Sequence, residues 1–226
     1  MPSRDSDIFA TAPLQALLAD ESAVLSAQLQ RCAGQHALLI SATLDDDPPA
    51  LPLLGRWTRL ALQQGFYRGD LHGRGDEPLP FVDEAFELIL LRHALEVSAA
   101  PSQLLREAVR VLAPGGLLVL TGLHPISGWL PWLLWQDGIG QALGVRLQLG
   151  RWLRAAELEV ERSDRAGAAW PSRLHSPALA PNILGGSYLL HARKRRRTIT
   201  PLPLRALPQR APANVGLAPG ARRSVG

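Results

Sequence analysis

The sequence predicts an α/β fold built on parallel strands, and three observations carry that prediction. Residues 85–93 (AFELILLRH) are an apolar run of strand length, residues 101–112 show a helical pattern, and residues 116–123 (GLLVLTGL) are a second apolar run. Strand, helix and strand joined by short links form a βαβ unit, which makes the two strands parallel. Neither run alternates with polar residues, the pattern of strands covered on both faces. Within the helix, Leu104, Leu105, Ala108, Val109 and Leu112 share one face, with Arg106, Glu107 and Arg110 elsewhere. Pro101 suits its first turn and Pro114-Gly115-Gly116 its end.

The remaining elements follow in chain order. Residues 12–34 read as a helix with Leu14, Leu17, Leu18, Val24, Leu25 and Leu29 at helical spacing and Gly34 as its stop. Residues 37–40 are a short buried strand, 56–64 a second strand and 65–70 a third, shorter one. Residues 150–164 read as a helix leading into a strand near 158–162, and residues 185–194 as a last strand. The pattern gives one domain, residues 1–194. A disordered basic tail rich in Pro, Arg and Ala follows at 195–226.

Charge and composition narrow the function classes. The chain of 226 residues is 46% hydrophobic, enough for one domain with a substantial core. Its net charge of +4 is unevenly placed: residues 193–226 hold nine Lys/Arg and no Asp/Glu, leaving 15 basic against 20 acidic residues in the body. The single cysteine, Cys32, excludes an internal disulfide and a thiolate zinc site. The N-terminus lacks the apolar segment of a signal peptide, and no run of about 18 uncharged apolar residues occurs. A cytoplasmic protein without a membrane span is expected.

Several residues are candidates for chemistry. His93 and His124 each follow a predicted parallel strand, and a histidine there titrates near neutrality and could serve as a general base, with a structural hydrogen-bonder at the helix start as the equal alternative for His93. Asp45-Asp46-Asp47 precede Pro48-Pro49; adjacent aspartates do not converge on one point, so a solvated loop is the expectation rather than a metal site. Asp70, His72 and Asp76 have no second His cluster behind them, so no metal is expected there either. Trp129, Trp132 and Trp135 recur at spacing three, read either as a lid touching an apolar substrate or membrane surface, or as an insertion packed on the sheet. The run RKRRR at 193–197 lacks a reading module, so a solvated tail is favoured over nucleic-acid binding.

Residues 79–127 resemble the second half of a class I S-adenosylmethionine-dependent methyltransferase domain of the type 11 style. The likeness rests on the L-P-F turn (79–81), HALE (93–96), the helix ending RVLAPGG (110–116) and the final GGSYLLHARK (185–194). It is closest to a bacterial subgroup with a degenerate first cofactor loop. The resemblance implies a Rossmann-like, seven-stranded, mostly parallel sheet flanked by helices, with an antiparallel last strand. It also implies S-adenosylmethionine as cofactor, held at the carboxyl ends of the strands. Carried over residue by residue, the cofactor positions are Ser41 and Ala42 after the first strand, Gln64 after the second, Asp76, Glu77 and Leu79 around the L-P-F turn, and Arg92 beside His93. Ser41-Ala42-Thr43-Leu44 stand where a glycine-containing loop is usual, and Gln63-Gln64 where an acidic residue usually binds the ribose. The function implied is methyl transfer to a small or lipid-like acceptor, with His93 or His124 taking its proton. The alternative is a methyltransferase-fold binding or scaffold protein that has lost its cofactor. A third reading is an adaptor acting on nucleic acid or a membrane surface through the tail and the tryptophans. The sequence does not specify an oligomeric state.

Overall fold

The structure, a computed structural model, describes residues 8–135, 142–171 and 181–195. Helix α1 (Ala12–Leu29) leads into strand β1 (Gly34–Ser41), followed by β2 (Leu54–Gln63), β3 (Phe66–Gly69) and the two-residue β4 (Gly73–Arg74). Then come β5 (Phe86–Arg92), the single turn α2 (Ala94–Val97), α3 (Pro101–Val111) and β6 (Leu112–Leu123). Helices α4 (Trp129–Trp135) and α5 (Ala142–Ala155) precede β7 (Leu158–Ala166) and β8 (Ser187–Lys194). The expected tail lies outside the described residues, apart from Arg195.

The strands form one sheet in the order β4-β3-β2-β1-β5-β6-β8-β7. β2, β1, β5 and β6 pair in parallel, and β8 runs antiparallel between β6 and β7, as the resemblance implies. Both faces are covered, which explains the unbroken apolar runs of β5 and β6. Val24, Leu25 and Leu29 of α1 pack on Leu39, Leu88, Leu90 and Val119. On the opposite face α3 and α5 pack Leu104, Leu105, Leu149 and Leu153 against Ile89, Leu91, Leu118 and Leu120.

Four expectations change. The sheet has eight strands rather than seven, β4 being a short addition at its edge. The third strand is antiparallel to β2, because Gln64 (φ 52°) and Gly65 (φ 79°) make a two-residue hairpin turn where a parallel crossover needs a dozen residues or more. Gly34 opens β1, α1 having ended at Leu29. Pro114-Gly115-Gly116 lie in the irregular start of β6, where the register with β5 jumps between Leu112 and Leu117. The link from β1 to β2, residues 42–53, carries Pro48, Pro49 and Pro52 and no helix.

Candidate active site

The strand order reverses between β1 and β5, since the chain builds outward from β1 to β4 and then returns to β1's other side. That reversal is the point at which open α/β sheets bind ligands, beyond the carboxyl ends of the strands. Here Ala42 N–H donates to Arg92 O (3.0 Å), His93 N–H to Thr121 O (3.2 Å), and Ser41 bridges to His93. Ser41, Ala42, Arg92 and His93 are thus brought together, all buried.

A buried ionic cluster fills this junction. His93, in the left-handed region at φ 54°, meets Glu21 Oε1 of α1 through Nε2 (3.0 Å) and Glu96 Oε2 of α2 through Nδ1 (2.7 Å). Glu96 Oε1 accepts Leu123 N–H at 2.6 Å, and the ring of Phe9 stacks 5.1 Å from the His93 ring. One imidazole therefore ties α1, β5, α2 and β6 together. Burial alone would lower its pKa, but the two carboxylates outweigh it and push it up to about 10. Glu21 resists its own burial for the same reason: His93 and Arg92 hold its carboxyl below the usual range.

Arg92, wholly buried, donates to Asp46 Oδ1 (2.5 Å), Ser22 Oγ (3.0 Å) and Leu18 O (2.8 Å), and stands 3.7 Å from Glu21 Oε2. For Asp46, burial dominates and pushes its pKa up despite Arg92. The solvated aspartate loop is corrected here: Asp46 is 7% exposed and is the inner partner of Arg92, while Asp45 and Asp47 face water. Among the described residues no group of three or more His, Cys, Asp or Glu could hold a metal ion.

Of the two readings of His93, a general base or a structural hydrogen-bonder at the helix start, the geometry fits the second, because both its ring nitrogens are engaged by carboxylates. His124, just past β6, is half-buried; Ile126 N–H donates to its Nδ1 (3.2 Å), which leaves the proton of the neutral ring on Nε2. Gln64 lies in the β2–β3 turn. Asp76 is exposed and held by Arg74 (2.9 and 2.8 Å), with Glu77 beside it. Leu79 is core; its N–H donates to Glu107 Oε2 and its carbonyl accepts from Arg110 (both 2.9 Å). Trp129 is packed rather than a surface lid, 1% exposed with its Nε1–H on Ala168 O (2.7 Å). The first residues of the basic run belong to the sheet: Lys194 Nζ donates to Val109 O (2.7 Å) and Leu112 O (2.6 Å), and Arg193 pairs with Glu161.

Sequence reasoning missed Glu21, Ser22 and the buried role of Asp46. The signal for Glu21 was present. It falls on the helix face defined by Leu14, Leu17, Leu18, Val24 and Leu25, a core position where a lone carboxylate needs a partner.

Polar atoms without partners bear on whether S-adenosylmethionine fits. At this junction Asp46 Oδ2, Arg92 Nε and Thr121 Oγ1 are buried and have no hydrogen-bond partner among the described residues. An anionic acceptor, a cationic donor and a hydroxyl complement a zwitterionic amino-acid group, which the cofactor carries at one end. Asp46 and Thr43 also line two hollows, of 180 and 340 Å³; the smaller reaches Ala61 on β2, Gly69 on β3 and Asp70 just past it. On these two counts the residues fit the group. Ser41, by contrast, spends its hydroxyl on Thr43 O (2.6 Å).

Comparison with known proteins agrees with this geometry. The sequence profile described as "Methyltransferase domain" matches residues 31–120. A SAM-dependent methyltransferase of Thermotoga maritima superposes with a TM-score of 0.54 at 15% identity, over 80% of this chain and 92% of that one. Residues 31–120 thus match a methyltransferase-domain profile, and the described fold is the Rossmann-like fold of class I S-adenosylmethionine-dependent methyltransferases. Among curated proteins, the chain is 49% identical over 49 residues to the uncharacterized protein YafS of Escherichia coli (strain K12), 22% of this chain and 20% of that protein. It is 42% identical over 67 residues to phthiotriol/phenolphthiotriol dimycocerosates methyltransferase 1 of Mycobacterium ulcerans (strain Agy99), 30% of this chain and 23% of that protein. The chain thus matches less than a quarter of either relative's length.

Proposed function

We propose that the protein transfers a methyl group from S-adenosylmethionine to a small or lipid-like acceptor. The observation that supports it is the unpaired set Asp46 Oδ2, Arg92 Nε and Thr121 Oγ1 at the reversal of strand order in a methyltransferase fold. Asp46 would receive the ammonium of the cofactor's amino-acid end and Arg92 its carboxylate. Ser41 and Ala42 flank that end, Asp70 offers the acidic group for the ribose in place of Gln64, and Asp76, Glu77 and Leu79 border the adenine side. When bound, the cofactor supplies an electrophilic methyl group. The protein's part is alignment and exclusion of water. His93 is held charged between Glu21 and Glu96 and so does not take the acceptor's proton. The acceptor then loses its proton to solvent, which suits a nucleophile that needs no strong base. An apolar acceptor is in keeping with the mycobacterial relative's printed name and with exposed Ile126 beside His124.

Calorimetry of the full chain with S-adenosylhomocysteine tests this. Binding is expected in the micromolar to millimolar range, weakened about tenfold or more by Asp46→Asn. No heat at millimolar concentration overturns the proposal and leaves the second reading, a methyltransferase-fold binding protein without cofactor. That reading is favoured by the closure of the junction through Glu21, His93 and Glu96. Among the described residues no helix is long and apolar enough to cross a membrane.

A further inference from the structure

At the opposite, amino edge of the sheet lies a cavity of 650 Å³, within the range of small-molecule sites. Gln28, Arg31 and Cys32 at the end of α1 line it, with Glu87 of β5 and His191 and Arg193 of β8. Its floor is apolar, from Leu29, Ala113, Pro114 and Leu117.

Two buried polar atoms of this lining have no partner. His191 is 6% exposed, and its Nε2 makes no hydrogen bond among the described residues. Gln28 donates through Nε2 to Asp164 Oδ2 (2.9 Å), but its buried Oε1 accepts nothing. Buried polar atoms are almost always satisfied, so two orphans on one cavity call for a polar occupant. Burial and the neighbouring Arg162 hold the His191 ring below its ordinary pKa, so it is neutral and one ring nitrogen donates.

The charges define the other end of that occupant. Arg193 is matched by Glu161 and Arg162 by Asp164, while Glu87 Oε2 accepts Gln35 N–H (3.2 Å) and His36 N–H (2.9 Å). Arg31, exposed at the mouth, has no acidic partner among the described residues. We propose that this cavity is a second ligand site, for a small hydroxylated carboxylic acid. Its carboxylate pairs with Arg31 and its carbon frame rests on the apolar floor. Its hydroxyl accepts from His191 Nε2–H and donates to Gln28 Oε1.

Cys32 is the chain's single cysteine and lies in this lining, so its reactivity reports occupancy. The rate of its modification by N-ethylmaleimide is measured on the full chain with 4-hydroxybenzoate as probe, and with benzoate and phenol as controls. At about 10 mM, 4-hydroxybenzoate is expected to slow modification about fivefold or more, saturably, and each control less than about twofold. Arg31→Gln, an exposed substitution that leaves the core intact, is expected to abolish the protection, as is His191→Phe in protein shown folded by circular dichroism. Absence of protection overturns the proposal, as does equal protection by benzoate or protection that survives Arg31→Gln. The readout does not involve S-adenosylhomocysteine and is independent of the proposed methyl transfer.

Discussion

The two halves of the sheet solve the same problem differently. Between β5 and β6 the chain crosses over through α3, whose side chains also hold the 79–83 turn ahead of β5: Arg110 donates to Leu79 O and Phe81 O (both 2.9 Å), and Glu107 accepts Leu79 N–H. Between β1 and β2 no helix intervenes. The twelve-residue link is held by ion pairs: Asp46 to buried Arg92, and Asp47 to half-exposed Arg59 at 2.8 Å. The crossover rests on a helix packed against the sheet with a partly exposed ion-pair network around Arg110, the β1–β2 link on charges buried at the candidate site. Electrostatic perturbation should therefore strike the two halves unequally.

Arg92→Leu is the strongest way to break that comparison. It strands Asp46 as a buried charge and leaves Glu21 to His93 alone, and loss of about 3–5 kcal/mol is expected in urea unfolding. Hydrogen exchange should rise first in residues 42–53 and leave α3 and the 79–83 turn that it holds protected. Uniform exchange across both halves would refute the division.

Alkaline titration probes the same cluster without a substitution. His93 has a folded pKa of about 10, above the ordinary value of 6.5, so its stabilisation is complete below about 6.5 and is lost as pH rises towards 10. Glu21, held low, adds stability above about 4.5 that is lost in acid; Asp46, held high, works against it. The urea midpoint should fall between pH 7 and 10, and His93→Phe should flatten that fall. A wild-type midpoint constant across this span would contradict the charged clasp.

Smaller effects sharpen the contrast. Arg110→Ala should cost about 1–3 kcal/mol by freeing the 79–83 turn, with the β1–β2 link unaffected in exchange measurements. Arg59→Ala removes an exposed pair with Asp47 and a hydrogen bond to Asp46 O (3.2 Å), and should cost about 1 kcal/mol. A larger loss would mean that the link depends on its outer pair as much as on Arg92.

Legibility in the sequence followed the same divide. β5, α3 and β6 were readable because apolar period and Pro/Gly punctuation are local signals. The reversed β3 was not read, although the short turn at Gln64-Gly65 encoded it, because strand direction depends on link length as much as on strand pattern. At the candidate site the strand ends were placed correctly, which brought Ser41, Ala42, Arg92 and His93 to one junction. Their ionisation was not readable, since it depends on Glu21, 71 residues before Arg92 in the sequence, and on Asp46 in a loop that looked solvated.

The sequence by itself determined the α/β class, the parallel β5–α3–β6 unit and the single cysteine, while the antiparallel last strand followed from the family resemblance. Periodicity, turn residues and composition are properties of contiguous chain. Tertiary structure alone decided which charges are buried, which histidine is paired on both nitrogens, and which buried polar atoms of the junction are left unpaired. Those properties are set by desolvation and by partners brought from distant elements, and both exist only once the sheet and α1 have closed on each other.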